Sequence, residues 1–215
     1  MMQKILLTGF EPFGGELTNP SMEIVHALDG EGSMNCAVVS AILPVERFRS
    51  VRAAIKLIER HKPDIVVALG VAVGRTNITP EKVAINFDDF RIADNGGNQP
   101  IGEPISSTGP AAYFATLPVN LMVREIRNCD VGAAVSFSAG TFVCNHLMYG
   151  ILDHIDRNNL PIRAGFIHVP QATEFAQRTA VPSLPLAEMV VAIRRSIFAA
   201  ANAANDVQQI GGEIH

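Results

Sequence analysis

Asp64-Ile65-Val66-Val67-Ala68-Leu69-Gly70 is an unbroken apolar run closed by a glycine. Such a run reads as a strand buried on both faces, the kind found inside parallel sheets. The stretch before it has a different period. Over residues 46–60, Phe48, Val51, Ile55 and Ile58 recur at three- and four-residue steps, which predicts an amphipathic helix. Further toward the N-terminus, residues 36–43 form a Val- and Ala-rich strand and residues 4–8 another. Between them Asn19-Pro20 reads as an N-cap followed by proline at the first position of a helix over 20–28. On the other side, residues 83–87 make a short strand. Residues 88–110 carry many Gly, Asp, Asn and Pro and read as a long functional loop with strand fragments. Helices are expected over 118–127, 143–157 and 185–203, and strands over 133–138 and 163–169, with Ala139-Gly140 as a turn. Residues 204–215 read as a mobile tail. Alternation of strand and helix defines an α/β chain: a three-layer sandwich around a largely parallel sheet, one domain over 1–215 without repeat or linker.

The totals exclude several classes. Hydrophobic residues make up 48% of 215 and charged residues 18%, enough for a sizeable core. The net charge of −4, with no basic stripe, argues against nucleic acid as partner. No run approaches the ~18 apolar residues of a membrane helix. The short apolar start, ended by Gly9, does not read as an export signal, and three cysteines suit a reducing cytoplasm. There is no Cys-x-x-Cys and no His-Glu-x-x-His, so no metal is expected.

Chemistry concentrates at Cys144. It follows a strand, a glycine turn and Phe142-Val143, at the opening of a helix. First-turn amides there are unpaired and the dipole favours negative charge, so the position is expected to favour a thiolate and to offer donors to an oxyanion. Cys36, in a Val-rich strand, and Cys129 read as small packing residues. Among the six histidines, His146 is two residues from Cys144 and points to another helix face, so it reads, like His154, as surface or packing. His26, His61 and His215 fall at polar helix ends or in the tail. His168 ends the run Gly165-Phe166-Ile167-His168-Val169-Pro170, and strand C-terminal ends are where open α/β sheets build sites. If the strand feeding Cys144 runs parallel to this one, both reach the same edge. A carboxylate would orient the imidazole; Glu81, Asp88, Asp89 and Asp94 are all candidates, and periodicity does not choose among them. The loop Gly9-Phe10-Glu11-Pro12-Phe13-Gly14-Gly15 carries two rings, either folded into the core or lining an apolar recognition pocket. Gly70-Val71-Ala72-Val73-Gly74-Arg75 lacks the Gly-Lys-Ser/Thr ending of a phosphate loop.

Four segments, in order, resemble the pyrrolidone carboxyl peptidases, or pyroglutamyl peptidases type I. They are Thr8-Gly9-Phe10-Glu11-Pro12-Phe13-Gly14 with Asn19-Pro20-Ser21; Glu81-Lys82-Val83-Ala84-Ile85-Asn86 with Asp88 to Asn95 and Gly97-Asn98-Gln99-Pro100; Ser138 to Asn145; and Gly165 to Pro170. The resemblance implies an α/β/α sandwich with a mixed sheet, similar to phosphorylase- and hydrolase-like folds. It implies Cys144 as nucleophile, His168 as base and acid, and Glu81, not the aspartates, as orienting carboxylate. Phe10, Phe13, Ile92, Phe142 and Val143 fall where the family builds its pyroglutamyl pocket, with Asn19, Val71 and Arg91 beside it. Val71 and Val73 stand where the family often has glutamine and glycine, and Gly102 where an aspartate is common. The implied activity is hydrolysis after an N-terminal pyroglutamyl residue of peptides through a thioester, without cofactor, by a cytoplasmic homo-oligomer, tetramer or dimer. Two other readings are kept: a nucleoside-phosphorylase-like enzyme, and a non-catalytic relative that binds pyroglutamate.

Overall fold

The computed structural model describes residues 2–176 and 181–208. Five strands form the central sheet in the order β2-β1-β3-β7-β4. β1 (Gln3–Phe10), β2 (Cys36–Leu43), β3 (Ile65–Val71) and β7 (Arg163–Val169) are parallel, whereas β4 (Thr79–Pro80) runs antiparallel to β7. The sheet is thus mixed and mostly parallel, as expected. Successive residues of β3 face opposite layers. Ile65, Val67 and Leu69 pack with α1 (Pro20–Leu28), α3 (Val119–Arg127) and α5 (Leu186–Asn202), while Val66 and Ala68 pack with α2 (Arg49–His61) and α4 (Val143–Arg157). Burial on both faces is why β3 is apolar throughout, and why β7 is apolar except for Arg163 at its start and His168 near its end. β5 (Val83–Ile85) and β6 (Ala112–Phe114) form a side hairpin, and β8 (Gln171–Ala172) pairs with β9 (Ser183–Leu184).

Local chemistry sets the helix starts. Asn19 caps α1, its side chain accepting from Ser21 N at 3.0 Å, with Pro20 behind it. α2 begins at Arg49, later than the periodicity suggests, because residue 48 is in the left-handed region (φ 45°). Pro118 offers α3 no side-chain cap, and Asp206 supplies one from across the chain, accepting from Leu121 N at 2.9 Å. Of the stretch 204–215 expected as a tail, residues 209–215 lie outside the described residues.

The segment over 133–138 differs from expectation. It makes only single bridges, Ala133 with Ile78 and Ser136 with Glu81, both parallel. It therefore lies beyond β4 and runs antiparallel to β7, not parallel to it. The chain reaches the C-terminal edge of β7 only because it turns back through Gly140, whose φ is 79°.

Candidate active site

His168 lies near the C-terminal end of β7, with Gly70 of β3 as its ladder partner on one side and Thr79 of β4 on the other. Because β4 runs the opposite way, the chain leaving it carries Glu81 back along β7, where its N–H donates to Phe166 O at 2.9 Å. The Glu81 side chain is fully buried. Its Oε1 lies 2.7 Å from His168 Nδ1 and accepts from Arg75 Nη1 at 2.6 Å. A carboxylate acceptor fixes the tautomer: Nδ1 carries the proton and Nε2 keeps its lone pair. Arg75 also donates to the Thr79 hydroxyl and, at 3.0 Å, to Ser138 O, so it ties Glu81 to the loop that leads into α4.

Cys144 is the second residue of α4. Phe142 at the N-cap makes no side-chain hydrogen bond, and the first helical bond is His146 N to Phe142 O. The amides of Val143, Cys144 and Asn145 therefore have no helical acceptor. Gly70 makes room for the sulfur: a Cβ there would stand 3.0 Å from Cys144 Sγ and 2.7 Å from Phe166 Cζ. Gly70 thus lies beside the thiol and is the ladder partner of His168. The glycine that marks the end of the apolar run serves close approach, not a turn; the turn falls at Gly74, with φ of 97°.

Burial reverses one expectation. The Cys144 residue is half-buried, but its sulfur faces inward, and desolvation pushes the thiol up to about 12. The Glu81 charge adds to the rise, against opposing pulls from Arg75 and the backbone N–H. The helix start alone does not make a resting thiolate here. Burial likewise holds His168 below the ordinary histidine value, although its hydrogen bond to Glu81 pulls the other way. Burial thus favours the neutral form of both thiol and imidazole.

Both groups face one cavity of about 230 Å³. Phe10, Phe13, Asn19, Val71, Phe142 and Val143 line it, as do Arg75, Val45 and Gly140. The rings of Phe13 and Phe142 lie 6.1 Å apart, and Phe90 backs Phe142 at 4.6 Å. The two loop rings therefore form wall, not remote core. Asn19 touches the cavity with its polar atoms already engaged, Nδ2 donating to Glu11 O and Oδ1 accepting from Ser21. Arg91 and Ile92 do not line the cavity; both are exposed.

Among the four candidate carboxylates, only Glu81 bonds to His168. Asp88 is buried against His146, Oδ2 to Nδ1 at 2.8 Å, and Arg47. His146 is therefore a buried partner whose Nε2 accepts from Phe48 N at 3.1 Å, not a surface residue. Asp94 shapes the 94–98 turn, and Asp89 is exposed. Sequence reasoning passed over Arg75 as a site residue. The available signal was a cation placed one residue after a turn glycine at the C-terminal edge of β3.

A thiol on an uncapped helix start and an imidazole held by a carboxylate, facing one apolar hollow at the edge of an α/β sheet, form the constellation of a thiol-dependent acyl-transfer enzyme. Comparison with known proteins narrows this. The pyroglutamyl peptidase family model matches residues 3–203. The pyrrolidone-carboxylate peptidase of Bacillus amyloliquefaciens is 46% identical over 215 residues, covering 100% of both chains. The crystal structure of pyroglutamyl peptidase I from the same organism superposes with a TM-score of 0.95 at 46% identity, covering 97% of this chain and 100% of that one. The pyrrolidone carboxyl peptidase of Thermococcus litoralis superposes with a TM-score of 0.91 at 37% identity, covering 97% and 99%. The chain belongs to the pyroglutamyl peptidase family.

Proposed function

We propose that this chain hydrolyses the amide bond after an N-terminal pyroglutamyl residue of peptides, with Cys144 as nucleophile, His168 as base and acid, and Glu81 as orienting carboxylate. The observation that carries this reading is the pairing of His168 with Glu81 beside an inward-facing Cys144 sulfur in an apolar cavity. At about 230 Å³ the cavity falls below the roughly 300–1,000 Å³ of sites for drug-sized ligands, and suits one small ring. Pyroglutamate is a neutral lactam, which Phe10, Phe13 and Phe142 can cover without a counter-ion. A free N-terminal glutamate or glutamine would bury an ammonium, at a cost of several kcal/mol unless paired.

As Sγ attacks the pyroglutamyl carbonyl carbon, the thiol proton passes to His168 Nε2. The first-turn amides of α4 receive the oxyanion, each such donor lowering the barrier by about 3 kcal/mol. The C–N bond then breaks and His168 gives its proton to the leaving amine. Water attacks the thioester, His168 takes its proton, and the sulfur leaves to be reprotonated. Starting from two neutral groups, proton transfer accompanies attack; no thiolate–imidazolium pair need form beforehand.

The test is release of a fluorophore from a pyroglutamyl amide in phosphate-free buffer. Cys144→Ala and His168→Ala are each expected to lower kcat on the order of 10⁴–10⁶-fold, and full activity of Cys144→Ala would sink the assignment. A strict phosphate requirement would favour the phosphorylase-like reading.

The layers on both faces of one sheet support a single domain. Three free cysteines support a reducing cytoplasm. An apolar face on the side hairpin, with Ile85 36% and Phe114 68% exposed, supports a homo-oligomer, dimer or tetramer.

A further inference from the structure

The small cavity accounts for the pyroglutamyl ring and leaves the rest of the peptide without a place. A second hollow of about 600 Å³ adjoins it, lined by Arg75, Thr76, Asn77 and Thr79 on one side and by residues 134–138 on the other. Arg75 lines both spaces, and Ser138 of the groove precedes Ala139 of the cavity. The groove also lies on the side of the base: Thr79, in its wall, is the ladder partner of His168. A leaving amine that takes its proton from His168 departs toward that side.

The wall at 134–138 lies at the margin of the sheet. Residues 133–136 are the outermost bridged segment of the sheet, with Ala134 N and Ser136 N donating inward to Ile78 O and Pro80 O. Among the described residues, the alternate amides of Val135 and Phe137 make no hydrogen bond. Phe137 lines the groove with 54% of its surface exposed, an aromatic ring with no core to join.

We propose that this groove is the subsite for the peptide that follows the pyroglutamyl residue, and that Phe137, in its wall, contacts the side chain of the first residue after the scissile bond. The proposal rests on the function proposed above and adds a preference: an aromatic or large apolar residue there is favoured over glycine.

The experiment compares kcat/KM for pyroglutamyl-phenylalaninamide and pyroglutamyl-glycinamide in wild type, Phe137→Ala and Phe137→Leu. Wild type is expected to favour the phenylalanine substrate, and Phe137→Ala to lower that ratio about fivefold, the scale of one aromatic contact. Phe137→Leu, which keeps apolar bulk, should hold the ratio closer to wild type. The ratio cancels any change in the ring cavity, which both substrates share. Turnover of both substrates with a ratio within about twofold of wild type in Phe137→Ala, well short of that contact, overturns the subsite and leaves the peptidase reading standing. The same unchanged ratio with an altered sedimentation coefficient would instead give this face to a second copy of the chain. Turnover of neither substrate by wild type defeats both readings.

Discussion

At His168 two influences oppose each other, and the outcome sets a pH range. Burial disfavours the imidazolium more strongly than the Glu81 carboxylate favours it, so the folded-state value lies below the ordinary 6.5. The base works only when neutral. Activity is therefore present above the lowered value and is lost as pH falls through it. A kcat/KM profile should show its acid limb below pH 6.5, the ordinary histidine value. No second rise should accompany thiol ionisation near neutrality, since burial has moved that event to about 12. An acid limb above 6.5 would mean that Glu81 dominates and that the imidazolium is the resting form. Arg75 matters here too. It donates to the same Oε1 atom that holds His168, and its cation lowers the imidazole's proton affinity.

Where elements meet, Gly70 is the tightest point. β3, β7 and the start of α4 converge there, and any side chain would push on Phe166 and on the Cys144 sulfur. Gly70→Ala should lower kcat/KM about a hundredfold through misplacement of the nucleophile, measured with the fluorogenic amide, while far-ultraviolet circular dichroism stays native. The same junction shows what was legible in the chain. Long, strongly patterned elements declared themselves: the helix Val143–Arg157 and the strand Arg163–Val169 match their expected bounds because apolar spacing and flanking Gly and Pro agree. The pairs β4, β8 and β9 have two residues each, too few for any period to show. Residues 133–138 have strand-like composition, yet their partner is a short antiparallel edge that only tertiary structure creates. Cys144 and His168 stood out by their places at a helix start and a strand end. Glu81 did not separate from its neighbouring aspartates without the family resemblance, since its contact with His168 spans 87 residues. Ile92 and Arg91, which that resemblance puts beside the pocket, are exposed residues of the loop.

For the whole molecule, part of the exposed apolar surface gathers on the side hairpin. On the hairpin of β5 and β6, Ala84 and Tyr113 turn inward, and the alternate positions Ile85 and Phe114 turn out, with Phe87 39% exposed just beyond. If copies associate through this face, Phe114→Glu should shift sedimentation toward the mass of one chain, because a buried unpaired charge is costly at an interface. An unchanged sedimentation profile would place the contact elsewhere.

The order of strands has one more consequence. β7 is the last long strand in the chain, yet it lies between β3 and β4. Until residues 163–169 emerge during synthesis, β3 keeps an open flank and β4 has no ladder to join, so the thiol at 144 is already made but has neither imidazole nor anchored carboxylate near it. Assembly of the catalytic constellation therefore requires β7, made late in the chain, to be seated between β3 and β4.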